Sequence, residues 1–485
     1  MPAERIIKPP QSRTSPAGPI RDSSPKGEPE LPPAPLRLIA LLEAAGYAAY
    51  CVGGCVRDVL LGKAPVDWDL CTSARPEQVT QALRPHGITI HETGLQHGTV
   101  TAVMDRQPVE ITTFRLDGAY TDHRRPDSVS FTDDLTADLS RRDFTVNAMA
   151  WRPGQGLADP FGGQEDLRAG LLRCVGEPSR RFGEDALRIL RCLRFASTLG
   201  FSIEENTAGA LFELKDTLRH VAAERVQSEL TKLLCGQNAR KILLEYREII
   251  FAVLPELRPL SGFDQRSPWH CHDVWGHTCA AVEAAVPGVP DEPAGSFGWA
   301  VLRWAALLHD CGKPACFFTR DGVGHFHGHP EAGERMARGM LTRLKCPKRL
   351  TERVATLIRY HELRLLELTV PVKLRRLLGE LGPEALLDLL ELTRADVMAQ
   401  APEKLYRLEA YEPLREQINS LMKENACVTR GQLAVSGKDL LPLGFQGPAL
   451  GRALDRLLEE VLEGRVANER EALLRRAQRM RNAEC

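Results

Sequence analysis

A short apolar run, a glycine turn and two closely spaced carboxylates constrain this chain more than any other stretch. Residues 47–52 read as an apolar strand, Gly53-Gly54 as the turn, and Cys55-Val56-Arg57-Asp58-Val59-Leu60-Leu61 as a short helix. Glycines let a backbone approach a phosphate, and a helix N-terminus offers its N–H groups to an anion. Arg57 adds a charged fork. Val66-Asp67-Trp68-Asp69-Leu70 follows. Two carboxylates two positions apart on an extended strand point to one face. Such a pair can hold Mg²⁺ ions that also touch a nucleoside triphosphate. A phosphate cradle ahead of a carboxylate pair reads as the front of a nucleotidyl-transfer site.

Length and composition set the frame. A chain of 485 residues allows roughly three or four domains. The formal net charge is −1, so any basic surface for nucleic acid has to be local. There are 13 cysteines, an odd number without a regular framework, which are expected to be reduced and mostly buried. No apolar run reaches membrane-span length and the N-terminus lacks the apolar core of a signal peptide, so a soluble, cytoplasmic protein is expected.

In order, residues 1–33 are rich in Pro, Ser and charge and read as a disordered leader. Residues 34–160 form a small α/β unit with too few helices for a doubly wound fold. In it Glu110 lies between apolar residues of a strand, the candidate third carboxylate beside Asp67 and Asp69. A polar loop with Tyr120, Asp122, His123, Arg124, Arg125 and Pro126 suits a lid over a polyanion. Arg141 and Arg142, next to Asp143 and a helical run, suit phosphate or sugar. Asp159-Pro160-Phe161-Gly162-Gly163 is a turn and a candidate hinge.

Residues 161–255 are helical. The run Arg180–Ala196 reads as one helix with Asp185 and Arg188 on a shared face, Arg191 and Arg194 continuing the row, and Leu187, Leu190 and Leu193 opposite. Cytosine and adenine share an amino donor beside a ring-nitrogen acceptor, whereas guanine and uracil reverse that order. An Asp acceptor beside an Arg donor would accept C and A, each such pair discriminating by about 1–3 kcal/mol.

The ordered set GGxxRD, DxD, RRDFTxNA, DPFGG and RRFxEDALRxLRxxRFA resembles the class II tRNA nucleotidyltransferases, which include CCA-adding enzymes and bacterial poly(A) polymerases. The likeness covers roughly residues 45–234, with Glu224-Arg225 and Glu229 in its last helix. It implies an α+β protein with a polymerase-β-like nucleotidyltransferase head and a helical neck. Asp67 and Asp69 would bind Mg²⁺, and Gly54, Arg57 and Arg142 would contact the nucleotide. Asp185 and Arg188 would select the base, supported by Arg191 and Arg194. The loop at Tyr120–Pro126 resembles the flexible loop of full CCA-adding members.

Residues 256–400 carry a second pattern. His277, the adjacent His309-Asp310, His329, His361 and a distal Asp396 have the spacing of metal ligands and resemble the HD phosphohydrolase superfamily. That resemblance implies His277, His309, Asp310 and Asp396 as a minimal set, with His329 and His361 added in two-metal members. His272 competes with His277 for the first position. Residues 401–485 read as a helical tail whose arginines 475, 476, 479 and 481 could follow a tRNA backbone.

The expected activity is template-independent addition of CCA to a tRNA 3′ end from CTP and ATP, by two-metal transfer releasing pyrophosphate. The rivals are poly(A) synthesis, addition of CC alone, metal-dependent phosphohydrolysis as the main activity, and RNA binding without turnover.

Overall fold

The computed structural model describes residues 32–118, 128–266, 272–288, 292–293 and 295–484. The leader through Leu31 and the polar loop at Tyr120–Pro126 lie outside the described residues. The chain divides into two compact units at Val221/Ala222.

The first unit is built on a seven-stranded sheet. Its strands are β1 (Ala49–Val52), β2 (Asp69–Thr72), β3 (Thr89–Gly94), β4 (Thr99–Met104), β5 (Gln107–Thr113), then the separate hairpin β6 (Arg115–Asp117) and β7 (Val129–Phe131), and finally β8 (Ala150–Arg152) and β9 (Gly156–Ala158). The sheet order is β3-β4-β5-β2-β1-β8-β9. The pairing is antiparallel except between β2 and β5. That parallel pair sets Asp69 directly beside Glu110. On β4 the apolar residues alternate inward, with Val100, Ala102 and Met104 buried, the period-two pattern of a half-covered sheet. A helix at Pro33–Ala44 and another at Pro76–Leu83 cover it, burying Leu38, Ile39, Leu42, Val79 and Leu83.

Three readings of local structure change. Asp67 lies in a bend just before β2 rather than on the strand, so the two carboxylates straddle the strand's beginning. The run 180–196 is two helices, Pro178–Glu184 and Leu187–Leu199, with Asp185 extended between them (φ −140°, ψ 103°). Its carboxylate accepts from the Leu187 amide at 3.1 Å and so restarts the helix, the competition with helical bonding typical of short polar side chains. In the tail, residues 402–410 are a 3₁₀ stretch before the α-helix Tyr411–Lys423.

The second unit is almost wholly helical. Its core holds Phe297–Leu308, a helix buried along most of its length, capped by Ser296 and anchored by the Trp304 indole on Thr231 Oγ1 at 2.9 Å. The last fifty residues close a separate apolar cluster that includes Leu440, Phe445, Leu457, Leu473 and Ala477. No helix among the described residues is long and apolar enough to cross a membrane.

Candidate functional site

The glycine turn and the strand ends bring the head's charged groups together. Gly53 has φ +80° and precedes the helix Gly54–Leu60. A Cβ there would stand 3.0 Å from Arg142 Nη1 and in a conformation L-residues avoid, so glycine is required on both counts. Arg142 therefore overlooks the turn. It also faces Asp69, whose carboxyl is pushed up to about 6 by burial and by Glu110 and Asp67, with Arg142 pulling the other way. Asp67 and Glu110 are exposed and Asp69 half-buried. Such crowding of carboxylates with one opposing guanidinium suits a divalent cation. The three ligand groups are not drawn into a tight cage; among the described residues only two groups of three or more ligand atoms close to within 4.8 Å, and both lie in the second unit.

Arg57 is buried rather than open to solvent. Its Nη1 donates to Asn147 Oδ1 at 2.7 Å, its Nε and Nη2 to Asp58 Oδ1 at 2.8 and 2.7 Å, and its guanidinium stacks 5.0 Å from the Phe195 ring centre. Asn147 in turn donates to Asp143 Oδ1 at 3.0 Å. Asp143 receives Arg191 at 2.9 and 2.6 Å. Burial opposes the charge on Asp143, but Arg191 and Asn147 outweigh it and hold the carboxyl well below the usual range. Arg194 stacks on the same Phe195 ring at 3.6 Å. Arg57, Arg191 and Arg194 are thus tied into one network around Asp143, Asn147 and Phe195. Sequence reading quoted these residues as a motif without giving them that role.

Base-selection candidates lie at the break between the two helices. Arg188 donates from Nη1 to Glu184 at 2.8 Å and to the Arg181 carbonyl at 3.0 Å, and from Nη2 to the Arg141 carbonyl at 3.0 Å. Glu184 also receives Arg181 at 2.7 Å. Sequence reading passed over this carboxylate; the i,i+3 and i,i+4 spacing from Arg181 and to Arg188 was the available signal. Asp185 and Arg188 sit three residues apart across the break, with no continuous helix joining them.

In the second unit six side chains converge from helix ends. His277 is in the first turn of Val274–Ala284, a helix capped by Asp273, whose Oδ1 accepts from Gly276 N at 2.7 Å. His309-Asp310 follows Phe297–Leu308, His329 opens His329–Arg343, His361 closes Lys348–Tyr360, and Asp396 lies in the last turn of Pro383–Met398. They form two trios, His277–His309–Asp396 and Asp310–His329–His361. His272 is exposed and outside both, so His277 takes the first position in the cluster.

Asp310 stands between the trios. Its Oδ2 is 3.2 Å from His309 Nε2 and its Oδ1 is 3.5 Å from His329 Nε2 and 3.7 Å from His361 Nε2. Asp396 Oδ1 is 2.9 Å from His277 Nε2. Each imidazole sets its outer nitrogen against a carbonyl: His309 Nδ1 to Ala306 O at 2.8 Å, His329 to Phe326 O at 2.9 Å, His361 to Ile358 O at 2.7 Å and His277 to Ala399 O at 3.3 Å. That arrangement turns every Nε2 inward and is how metal-ligating histidines are oriented. Burial opposes a charge on His309, but Asp310 and Asp396 prevail and push it up to about 10. Lys313, to which sequence reading gave no role, places Nζ 2.7 Å from Asp310 Oδ2 and 2.9 Å from Gln265 Oε1. Two cations therefore balance the buried carboxylates, the charge a divalent ion would bring.

The tail arginines are partly spent on neighbours. Arg476 binds Glu460 at 2.5 Å and Arg475 reaches Glu471 at 3.3 Å.

The Poly A polymerase head domain model matches residues 49–173, and the tRNA nucleotidyltransferase domain 2 model matches residues 330–477. The CCA-adding enzyme of Enterococcus faecalis is 33% identical over 448 residues, spanning 92% of this chain and 95% of that enzyme. That of Geobacillus stearothermophilus is 34% identical over 461 residues, spanning 93% and 98%. The crystal structure of the Bacillus stearothermophilus CCA-adding enzyme in complex with CTP superposes with a TM-score of 0.65 at 30% identity, over 93% of this chain and 98% of that one. Sheet head, helical second unit and full-length likeness agree, and the chain belongs to the family of CCA-adding enzymes, which are tRNA nucleotidyltransferases.

Proposed function

We propose that the head extends a tRNA 3′ end with CTP, CTP and ATP in the cytoplasm, releasing pyrophosphate. The observation that carries this reading is the parallel register of Asp69 on Glu110, beside Asp67 and facing Arg142 over the Gly53 turn. Asp67 and Asp69 are the residues that would hold Mg²⁺. When bound, the ions favour ionisation of the terminal hydroxyl and neutralise the triphosphate. Glu110 takes up or orients the hydroxyl proton. Arg142 and the Gly54 amide hold the triphosphate, while the Gly53 amide, bonded to the Met149 carbonyl at 3.1 Å, fixes the turn. Asp185 accepts from the amino group shared by cytosine and adenine. Arg188, with Nη1 fixed on Glu184, offers its Nε–H and second Nη2–H to the ring nitrogen. Arg57, Arg191 and Arg194 keep that surface rigid from behind.

The test is incorporation into a tRNA lacking its 3′ CCA, resolved to single nucleotides, with CTP, ATP or both and Mg²⁺. Two additions with CTP and a third only with ATP are expected. A-tracts from ATP alone would replace this reading by poly(A) synthesis, and a permanent stop after two additions by CC addition.

The second unit supports a further reading. His277, His309 and Asp396, with Asp310, His329 and His361, form a divalent-metal centre in which Asp310 bridges the two trios. Its chemistry is metal-assisted hydrolysis of a phosphoester. Metal content after dialysis against Mn²⁺, lost in His309→Ala, tests it.

A further inference from the structure

Just ahead of His329 in the chain lies a β-hairpin, Phe318–Arg320 with Val323–His325, in which Phe318 pairs with His325. Three rings of this segment form a compact triangular cluster. Phe318 and His325 stack at 5.3 Å and 26°, His325 and His327 at 5.8 Å and 23°, and Phe318 also meets His327 at 5.5 Å. Phe318 is 43% exposed and Val323 40%. His327 is exposed, and the Arg320 side chain is 79% open to solvent. Short exposed hairpins do not order such rings unaided. This one is fixed beneath by Phe317, Phe326 and Phe263, with ring centres 5.2–6.4 Å apart. It is pinned sideways by Gly324, whose N–H donates to the Arg266 carbonyl at 3.0 Å. A Cβ at Gly324 would lie 2.2 Å from the Gln265 carbonyl, so only glycine lets the strand come this near.

The same segment also touches the histidine–aspartate cluster. Phe326 supplies the carbonyl that orients His329, and Lys313, ion-paired to Asp310, lies 5.3 Å from the Phe326 ring centre. His327 is two residues from His329, a span of about 7 Å at most. An exposed aromatic cluster with an adjacent arginine is the chemistry that holds an unpaired base: open ring surface on Phe318 and His327 for stacking and a guanidinium for its phosphate.

We propose that Phe318, His325 and His327 form a nucleobase-stacking site, with Arg320 on the phosphate side, that holds a nucleotide or an unpaired RNA end beside the histidine–aspartate cluster. The presentation of a phosphate to metal rests on the metal-binding reading above; the stacking site does not.

The test uses the full chain in EDTA with 2-aminopurine riboside 5′-monophosphate, whose fluorescence is quenched on stacking. A tetraribonucleotide ending in the same base is the second probe. Quenching is expected with the native chain. Phe318→Leu and His327→Ala should each weaken it about tenfold, the worth of one base–aromatic stack. Phe318→Trp should keep the affinity and gain an indole signal quenched by the probe. Equal affinities confined to both native and Leu/Ala variants, with a silent Trp reporter, overturn the proposal. Tighter binding of the tetranucleotide makes the occupant an RNA end, and equal binding makes it a free nucleotide. Mn²⁺ uptake is measured on the same proteins. Stacking without metal uptake would sink the metal reading and leave this site standing; metal uptake without stacking would do the reverse.

Discussion

The two units hold their charged groups in opposite ways. In the head, Asp67 and Glu110 are exposed, Asp69 is half-buried, and the three do not close into a cage. In the second unit, five of the six ligands are buried and the sixth, Asp396, is half-buried, with Nε2 atoms and carboxylates already within 4.8 Å in each trio. Mg²⁺ is commonly held by one or two carboxylates together with substrate phosphates, keeping several waters, whereas imidazole-rich cages suit transition ions. The head is therefore built to be completed by its nucleotide. On the proposed reading the second unit would keep an ion with no substrate present. One chain thus carries a site whose electrostatics wait for substrate and a site whose electrostatics are already balanced by His309 and Lys313.

The largest effect that separates them is on incorporation. Asp69→Asn or Asp67→Ala should lower CTP incorporation at least about a thousandfold, the several kcal/mol that metal assistance supplies, with tRNA binding retained. His309→Ala, checked to be folded, should leave incorporation within about twofold. Equal losses in both would mean that the two sites do not act separately.

Next in size is stabilisation by metal alone. Mn²⁺ at about a hundred times its dissociation constant should add about 2.7 kcal/mol to the second unit. The head should respond to Mg²⁺ only when CTP is added. A Mg²⁺ effect on the head without nucleotide would erase the contrast.

A third effect concerns base choice. Asp185→Ala should narrow the preference of C and A over G and U by about 5–150-fold, from about 1–3 kcal/mol, with triphosphate binding little changed. Unaltered selectivity in single-nucleotide incorporation would remove Asp185 from the base edge.

Much of this was legible in the chain, unevenly and for physical reasons. The strand at 107–113 and the burial of Val100, Ala102 and Met104 follow from period-two alternation, which is local. The likeness to tRNA nucleotidyltransferases rested on several ordered motifs, and the family assignment bears it out. The pairing of Asp69 with Glu110 is forty-one positions apart and depends on strand order, which no local pattern encodes. The split at Asp185 was missed because helical periodicity runs through it, while a single side-chain bond to Leu187 N interrupts it. Arg57 reads from the sequence as a charge open to ligand because its partners, Asn147 and Phe195, are remote in sequence. His277, already in the expected ligand set, is separated from its rival His272 by the fold, since His277 lies in the first turn of Val274–Ala284 and His272 before it, outside both trios.

The smallest effect is the one that reads the balance of charge directly. His309 is pushed up to about 10 because Asp310 and Asp396 face it, despite a burial that works against the charge. The sign follows: without metal, this group stabilises the fold fully below the ordinary imidazole value near 6.5, and that contribution is lost as pH rises through about 10. Metal needs the neutral imidazole, so the ion must displace the proton. Calorimetric titration of Mn²⁺ in two buffers of different ionisation enthalpy should then report release of about one proton per site near neutral pH. Affinity should rise about tenfold per pH unit between about 6.5 and 8. His309→Ala removes the proton with the ligand, so residual binding should lose that slope. A pH-independent affinity in the native chain would mean that His309 is already neutral, and that Lys313 alone balances Asp310 before the metal arrives.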